Sequence, residues 1–201
     1  MKIEPQHRIY ACFFFFALTT GAMMARLPDI QLQLGVDKRE LGLTMIGMAI
    51  GSLISLTFAS PLIARLGART TAFITVLGPA LLLATIPWLT WAPAAFGVLF
   101  CAGLLAGALE INLNVEIDRL EAQFGKRFMN RAHGFWSMGF FITALFGATI
   151  RQSGLPAPLH LALIAVIVCT VAGYLISGMR SAPVPLAVQE DKGHGIAFPH
   201  W

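Results

Sequence analysis

Six long apolar runs restrict what this chain can fold into more than any other feature. They cover roughly 9–25, 41–63, 71–91, 94–116, 133–150 and 159–179. A helix crosses the hydrocarbon of a bilayer with ~20 mostly apolar residues, and it satisfies its own backbone as it does so. Runs this long and unbroken exclude a barrel, whose spanning strands alternate over ~10 residues. The expected fold is an all-α membrane protein of six transmembrane helices. Composition supports this. Charged residues make up 12% and hydrophobic ones 57%, whereas a soluble domain carries roughly 25% charged residues. The first run follows Lys2 and Arg8 as a signal peptide would. It passes into Ala25-Arg26-Leu27-Pro28 without a small-residue cleavage site, and five more runs follow, so a retained first helix is expected.

The formal charge of +4 does not point to nucleic acid, because the basic residues punctuate the apolar runs rather than forming a patch. Their distribution reads as topology. With the amino terminus inside, the inner segments hold Lys2, Arg8, Arg65, Arg69, Arg119, Lys126, Arg127, Arg131, Arg180 and Lys192. The outer segments hold Arg26, Lys38, Arg39 and Arg151. Ten against four places both termini in the cytoplasm, with 180–201 as a polar tail or the start of a central loop. Cys12, Cys101 and Cys169 lie in apolar runs, are odd in number and form no C-x-x-C, so neither disulfides nor a metal site is expected. Phosphate-cradling loops and nucleotide motifs are absent from the sequence, and no cofactor is expected.

Several local features bear on helix packing. Only Thr90 to Pro93 separate the third and fourth runs, which predicts a tight antiparallel pair. Pro79 and Pro87 predict a kink in the third. Gly47-x-x-x-Gly51 in the second run and Gly103-x-x-x-Gly107 in the fourth would let backbones approach closely. Trp88, Trp91 and Trp136 suit an aromatic belt. Gly35 and Gly125 each follow the first helix of a three-helix unit, a faint sign of internal repetition.

The loop after the second run reads Ser60-Pro-Leu-Ile-Ala-Arg65-Leu-Gly67-Ala-Arg69. It resembles the major facilitator superfamily (MFS) signature Gly-x-Leu-x-Asp-Arg-x-Gly-x-Arg, matching at Leu62, Arg65, Gly67 and Arg69. Ser60 replaces the first Gly, and Ala64 replaces the Asp that helps latch the inner gate in that family. Two further segments are similar to the fucose permease-like branch and its uncharacterised bacterial relatives. One is Arg26-Leu-Pro28-Asp29-Ile, followed by Leu41-Gly-Leu. The other is Gly107-Ala-Leu-Glu110-Ile-Asn-Leu-Asn114, then Glu121, Gly125-Lys-Arg, Met129-Asn and His133-Gly-Phe-Trp136-Ser137-Met-Gly139. The resemblance covers about 10–150. It implies the amino-terminal six-helix half of a twelve-helix secondary transporter in a bacterial inner membrane. It also implies a small polar solute, sugar-like or drug-like, moved with protons. The chain stops at Ile196-Ala-Phe-Pro199, similar to the lead-in to a seventh helix, and a truncated longer ancestor is expected. A second wall would come from a homodimer or a separately encoded half. The alternative is a non-transporting interaction or regulatory subunit, or a vestigial fragment.

Glu110 carries the most chemistry. A carboxylate near the bilayer centre costs at least ~2.5 kcal/mol, so it should face a cavity, pair or be protonated. The resemblance aligns it with an acid used for proton coupling; a neutral Glu bonded to a neighbouring helix is the plain alternative. Asn114 is one turn on and shares its face, as a solute ligand or a helix bridge. Glu116 and Asp118 are expected near the interface, solvated or paired with Arg119 or Arg127. The branch's acid in the first helix would fall at Met24, so a two-acid site does not carry over. Arg26 and Asp29 are candidates for an ion pair at the outer mouth, with a plain interfacial anchor as the other reading of Arg26. Arg65, Gly67 and Arg69 are the inner-gate candidates. His133, Trp136 and Ser137 begin the fifth helix. A Ser–His hydrolase is rejected there, because the two share one helix a turn apart and no nucleophile elbow is present. The protein is not expected to be an enzyme.

Overall fold

The computed structural model describes residues 3–182, so most of the expected 180–201 tail lies outside the described residues. In chain order the helices are α1 (Pro5–Ala25), α2 (Leu27–Leu34), α3 (Lys38–Phe58), α4 (Ser60–Leu66), α5 (Ala68–Thr85), α6 (Ala92–Phe124), α7 (Met129–Gln152), α8 (Ala157–Ile167) and α9 (Gly173–Ser177). A 3-10 turn, Ile86–Trp88, ends α5, and a π-helical turn, Val168–Ala172, joins α8 to α9. No strand occurs among the described residues. Six helical units are long and apolar enough to span a bilayer: α1, α3, α5 with its 3-10 turn, α6, α7 and α8 through α9. The chain is a multi-pass membrane protein.

Local chemistry sets the breaks. The 26–37 segment is mostly helical rather than a linker, and α2 ends at Gly35 with φ +65°, a left-handed cap that favours glycine. Asp37 and Glu40 then form a reciprocal capping box that starts α3. The expected second helix, 41–63, is split. Pro61 tolerates only a first-turn position, so α3 ends at Phe58 and α4 starts afresh. The third helix continues through Pro79 and tightens only from Ile86, beside Pro87. The fourth runs eight residues past the expected 116, to Gly125 at φ +63°.

Two pairs of helices make close contact. Gly47 and Gly51 of α3 lie against the backbone carbonyls of Phe96 and Phe100, while Gly103 and Gly107 of α6 lie against those of Met48 and Ser52. A Cβ on Gly47 would meet an oxygen at 2.7 Å. The two sequence motifs therefore face each other. Gly139 and Gly147 of α7 pack likewise against Phe14 and Ala25 of α1. Lipid tails are as apolar as leucine, so burial does not drive this association; close van der Waals contact does, and small residues permit it.

The pairing exposes an internal repeat. Pro5 and Ala92, Gly35 and Gly125, Lys38 and Met129, and Ala68 and Ala157 are offset by 87, 90, 91 and 89 residues. In each unit the first helix is gripped by the second helix of the other: α1 by α7, and α6 by α3. Three helices per unit invert the second relative to the first. Inverted three-helix repeats are a recurring plan of secondary transporters.

The main core joins α1, α5, α6 and α8 through α9, around Phe13, Val76, Leu113, Val168 and Ile176. A second cluster, with Met23, Ile30, Leu83 and Leu99, fills the opposite end. By contrast α3 and α7 are buried along one stripe each, leaving Leu53, Phe58, Phe141 and Phe146 exposed.

Candidate functional site

The stripe that brings α6 onto α3 continues into polar residues. From Gly103 and Gly107 the same helical face reaches Glu110 and Asn114 by steps of three and four. At 3.6 residues per turn Glu110 lies about 20° from Gly103. The face of α6 exposed at Gly97, Cys101 and Val115 lies about 140–180° from it. Glu110 is itself exposed, so its carboxylate opens beside α3, away from that apolar face. It has no cationic partner within 4.0 Å among the described residues. It stands 18 residues after Ala92 and 14 before Phe124, in the middle third of α6. The helix extends beyond the 94–116 expected from its apolar run, through the charged turns at Asp118, Arg119 and Glu121.

Asn114 is half-buried, and its Oδ1 is shielded with no hydrogen-bond partner. An orphaned buried acceptor costs about 1–3 kcal/mol, so such positions tend to serve a ligand or water. Asn112 faces elsewhere, as its position predicts. It is buried and donates through Nδ2 to the Ala68 carbonyl at 3.0 Å, tying α6 to the start of α5.

A second polar cluster closes the opposite end. Arg26 is 2% exposed. Its Nη1 donates to Asp29 at 3.1 Å, its Nη2 to the Leu155 carbonyl at 2.9 Å and its Nε to His160 Nδ1 at 2.9 Å. His160 accepts through Nδ1, so that nitrogen carries no proton. Asp29 also receives Arg151 Nε at 2.9 Å. The expected Arg26–Asp29 pair is present, and it is the centre of a latch from α1 and α2 to α7 and α8. Burial alone would raise the Asp29 carboxyl's affinity for a proton; hydrogen bonds from Arg151 and Arg26 outweigh it and hold the pKa below the ordinary aspartate value. Run length and charge counting give His160 no role and treat Arg151 only as topology. A histidine within an apolar run is the signal that could have found the cluster.

At the other end, Gly67 turns the chain with φ +77° and its carbonyl accepts from Thr71 Oγ1 at 2.9 Å. Arg69 lies over the Phe73 ring at 5.9 Å, and Arg65 is exposed on α4. Glu116 is buried rather than solvated. Arg119 Nη1 donates to its Oε1 at 2.7 Å and the Ala182 N–H to its Oε2 at 2.8 Å. Glu121 accepts the Phe128 and Met129 backbone N–H groups and so caps the start of α7. Ser137 Oγ donates to the backbone carbonyl of His133 at 3.0 Å, while the His133 ring packs 5.2 Å from Phe13. The hydroxyl and the imidazole are not bonded to each other. Trp136 stacks on Phe140 at 5.6 Å. Trp88 and Trp91 project at 71% and 66% exposure near the latch end.

Comparison with known proteins agrees with the architecture. The chain is 25% identical to an uncharacterised transporter of Sinorhizobium fredii over 207 residues, 98% of this chain and 52% of the relative. It is 26% identical to an uncharacterised MFS-type transporter of Yersinia pestis over 145 residues, 71% of this chain and 37% of the relative. The chain thus spans about half the length of the first relative and less of the second. No protein-family model matches it, and no solved structure does.

Proposed function

We propose that this chain, similar along 98% of its length to a transporter and built of six membrane-length helices, supplies one wall of an MFS-type secondary transporter. The proposed cargo is a small polar solute, sugar-like or drug-like, coupled to protons. Alternating access rocks one bundle against another around a midplane site. Six helices make one wall; the second is a further six-helix bundle on the same polypeptide, a second copy of this chain, or a separate protein. The partly buried helices α3 and α7 are the faces it would cover.

The observation that carries this reading is the position of Glu110: mid-helix, unpaired among the described residues, and on the face of α6 that continues from Gly103 and Gly107. In that role the Glu110 carboxyl would take up a proton on one side of the membrane and give it up on the other. Solute bound at the neighbouring Asn114 and a proton on Glu110 would then move together. The basic end, with Arg8, Arg65, Arg69 and Arg127, would face the cytoplasm of a bacterial inner membrane.

A hydrophobic carbodiimide tests this without knowledge of the solute, because it reacts with protonated carboxyls in apolar surroundings. Glu110 should be modified in membranes at acidic pH and progressively less as pH rises; Glu110→Gln should remove that adduct. If Glu110 stays unmodified at every pH while other acids react, the proton-carrier role is wrong.

A further inference from the structure

The basic end of the bundle holds a cavity of about 660 Å³ that lies outside the polar stripe on α6. Arg8 reaches it from α1, Arg69 from the start of α5 and Arg180 from just beyond α9. Tyr174 and Ser177 complete the rim. Glu116 is the carboxylate on the lining, and both of its oxygens are already engaged, by Arg119 and by the Ala182 N–H. Among the described residues no carboxylate lies within 4.0 Å of Arg8, Arg69 or Arg180. Arg8 gives one bond to the Leu175 carbonyl and Arg69 leans on Phe73, so most of their donors remain unspent. Three guanidiniums around one space repel each other unless an anion occupies it. Their planar forks match the oxygens of a phosphate.

The surroundings say which phosphate. Tyr174, Val171, Ile167 and Leu163 are all exposed, at 72%, 44%, 44% and 48%. They recur at steps of three and four from the cavity's rim along the span formed by α9 and α8, giving an apolar track with a tyrosine at its polar end. A phosphate dissolved in water needs no such track, whereas acyl chains do. The volume exceeds what one phosphate needs and falls within the ~300–1,000 Å³ of small-molecule sites. Basic pockets between spanning helices are the setting in which anionic headgroups bind.

We propose that this cavity binds the phosphate headgroup of an anionic phospholipid, with its acyl chains along the Tyr174–Leu163 track. The site is independent of Glu110 and holds whether or not that residue carries protons.

The test uses the whole chain, purified in nonionic detergent and stripped of lipid. Phosphatidylglycerol and phosphatidylcholine with identical acyl chains are added in competition, and retained lipid is read by native mass spectrometry. One phosphatidylglycerol should be retained with at least a ~10-fold preference: both headgroups carry the phosphodiester, but the choline ammonium of phosphatidylcholine would add a fourth cation beside three guanidiniums. The preference should fall below about 2-fold in R69Q/R180Q, a pair that makes no backbone bond of its own. Equal retention of the two lipids, or an undiminished preference in R69Q/R180Q, overturns the proposal. Release of the lipid by inorganic phosphate at millimolar concentration also overturns it, because the site would then be one for water-borne phosphate. A photoactivatable phosphatidylglycerol gives a second readout on the unmutated chain. Adducts should map to 163–180, and adducts confined to α3 and α7 count against the site.

Discussion

Arg26 shows what a single buried charge costs and supplies in a bundle like this. Its guanidinium is almost inaccessible and makes three hydrogen bonds, to a carboxylate, a carbonyl and an imidazole nitrogen. Removing it strands His160 Nδ1 and the Leu155 carbonyl and weakens the hold on Asp29. We expect Arg26→Ala to lower stability in detergent by on the order of 3 kcal/mol, read as the thermal unfolding midpoint. Asp29 brings a pH dependence. Its folded pKa lies below the ordinary value of 3.8, so its ion pairs stabilise the fold above that value and are lost as pH falls through the folded pKa. The stability gap between the parent and Asp29→Asn should therefore stay constant from neutrality down to about pH 4 and shrink below it. A gap that instead widens on acidification would contradict the assignment of Arg151 and Arg26 as its partners. Glu116 and Glu110 make the contrast within one helix. Six residues apart, one is buried on an arginine and a backbone N–H, and the other is open with no cation beside it among the described residues.

At the scale of helices, spacing matters more than hydrophobicity. Apolar side chains gain nothing by leaving lipid for a neighbouring helix. The α3–α6 contact therefore depends on how near the two backbones come, and glycine sets that distance. Adding a side chain at Gly51 or Gly103 drives it into a facing backbone carbonyl, which cannot give way as a flexible side chain can. We expect Gly51→Leu to cost ~1–3 kcal/mol and to abolish a disulfide engineered between α3 and α6. Gly97→Leu, on the same helix as Gly103 with open space around it, should leave both unchanged. The pair separates the effect of contact from that of sequence composition. The π-helical turn between α8 and α9 has no such explanation from the residues around it.

For the whole molecule, the proposed transporter places a second bundle against two faces. Helices α3 and α7 each bury one narrow stripe, and a wide apolar surface on each faces outward. A second bundle would cover both. Crosslinking in native membranes between cysteines placed at Leu53 or Phe141 and a partner should trap either a dimer of this chain or a distinct six-helix protein. A chain that transports as a monomer, with no trapped partner, would remove the need for a second wall. Sidedness is checked in the same membranes. In a background without Cys12, Cys101 and Cys169, an impermeant maleimide should label Ser153→Cys in intact cells and Lys126→Cys only after permeabilisation.

Much of this was legible in the chain itself, and the reason is the solvent. A bilayer admits only helices or closed barrels, and long unbroken apolar runs select helices, so run length and composition determined the number of spans, the all-α class and the absence of strands among the described residues. Gly35 and Gly125, read only as a faint sign of repetition, are the left-handed caps of α2 and α6, and Asp37 caps α3. The Arg26–Asp29 pair was readable because its members are three residues apart at the start of one short helix. Contacts between distant segments were not. His160 lies 134 positions from Arg26, and no pattern in either run says they meet. Nor could spacing reveal that the two glycine motifs face each other, or that Arg8, Arg69 and Arg180 surround one cavity. Periodicity tells which residues share a face of a helix. Which face meets which neighbour depends on how close the backbones can pack, and that is settled only when all six helices are assembled.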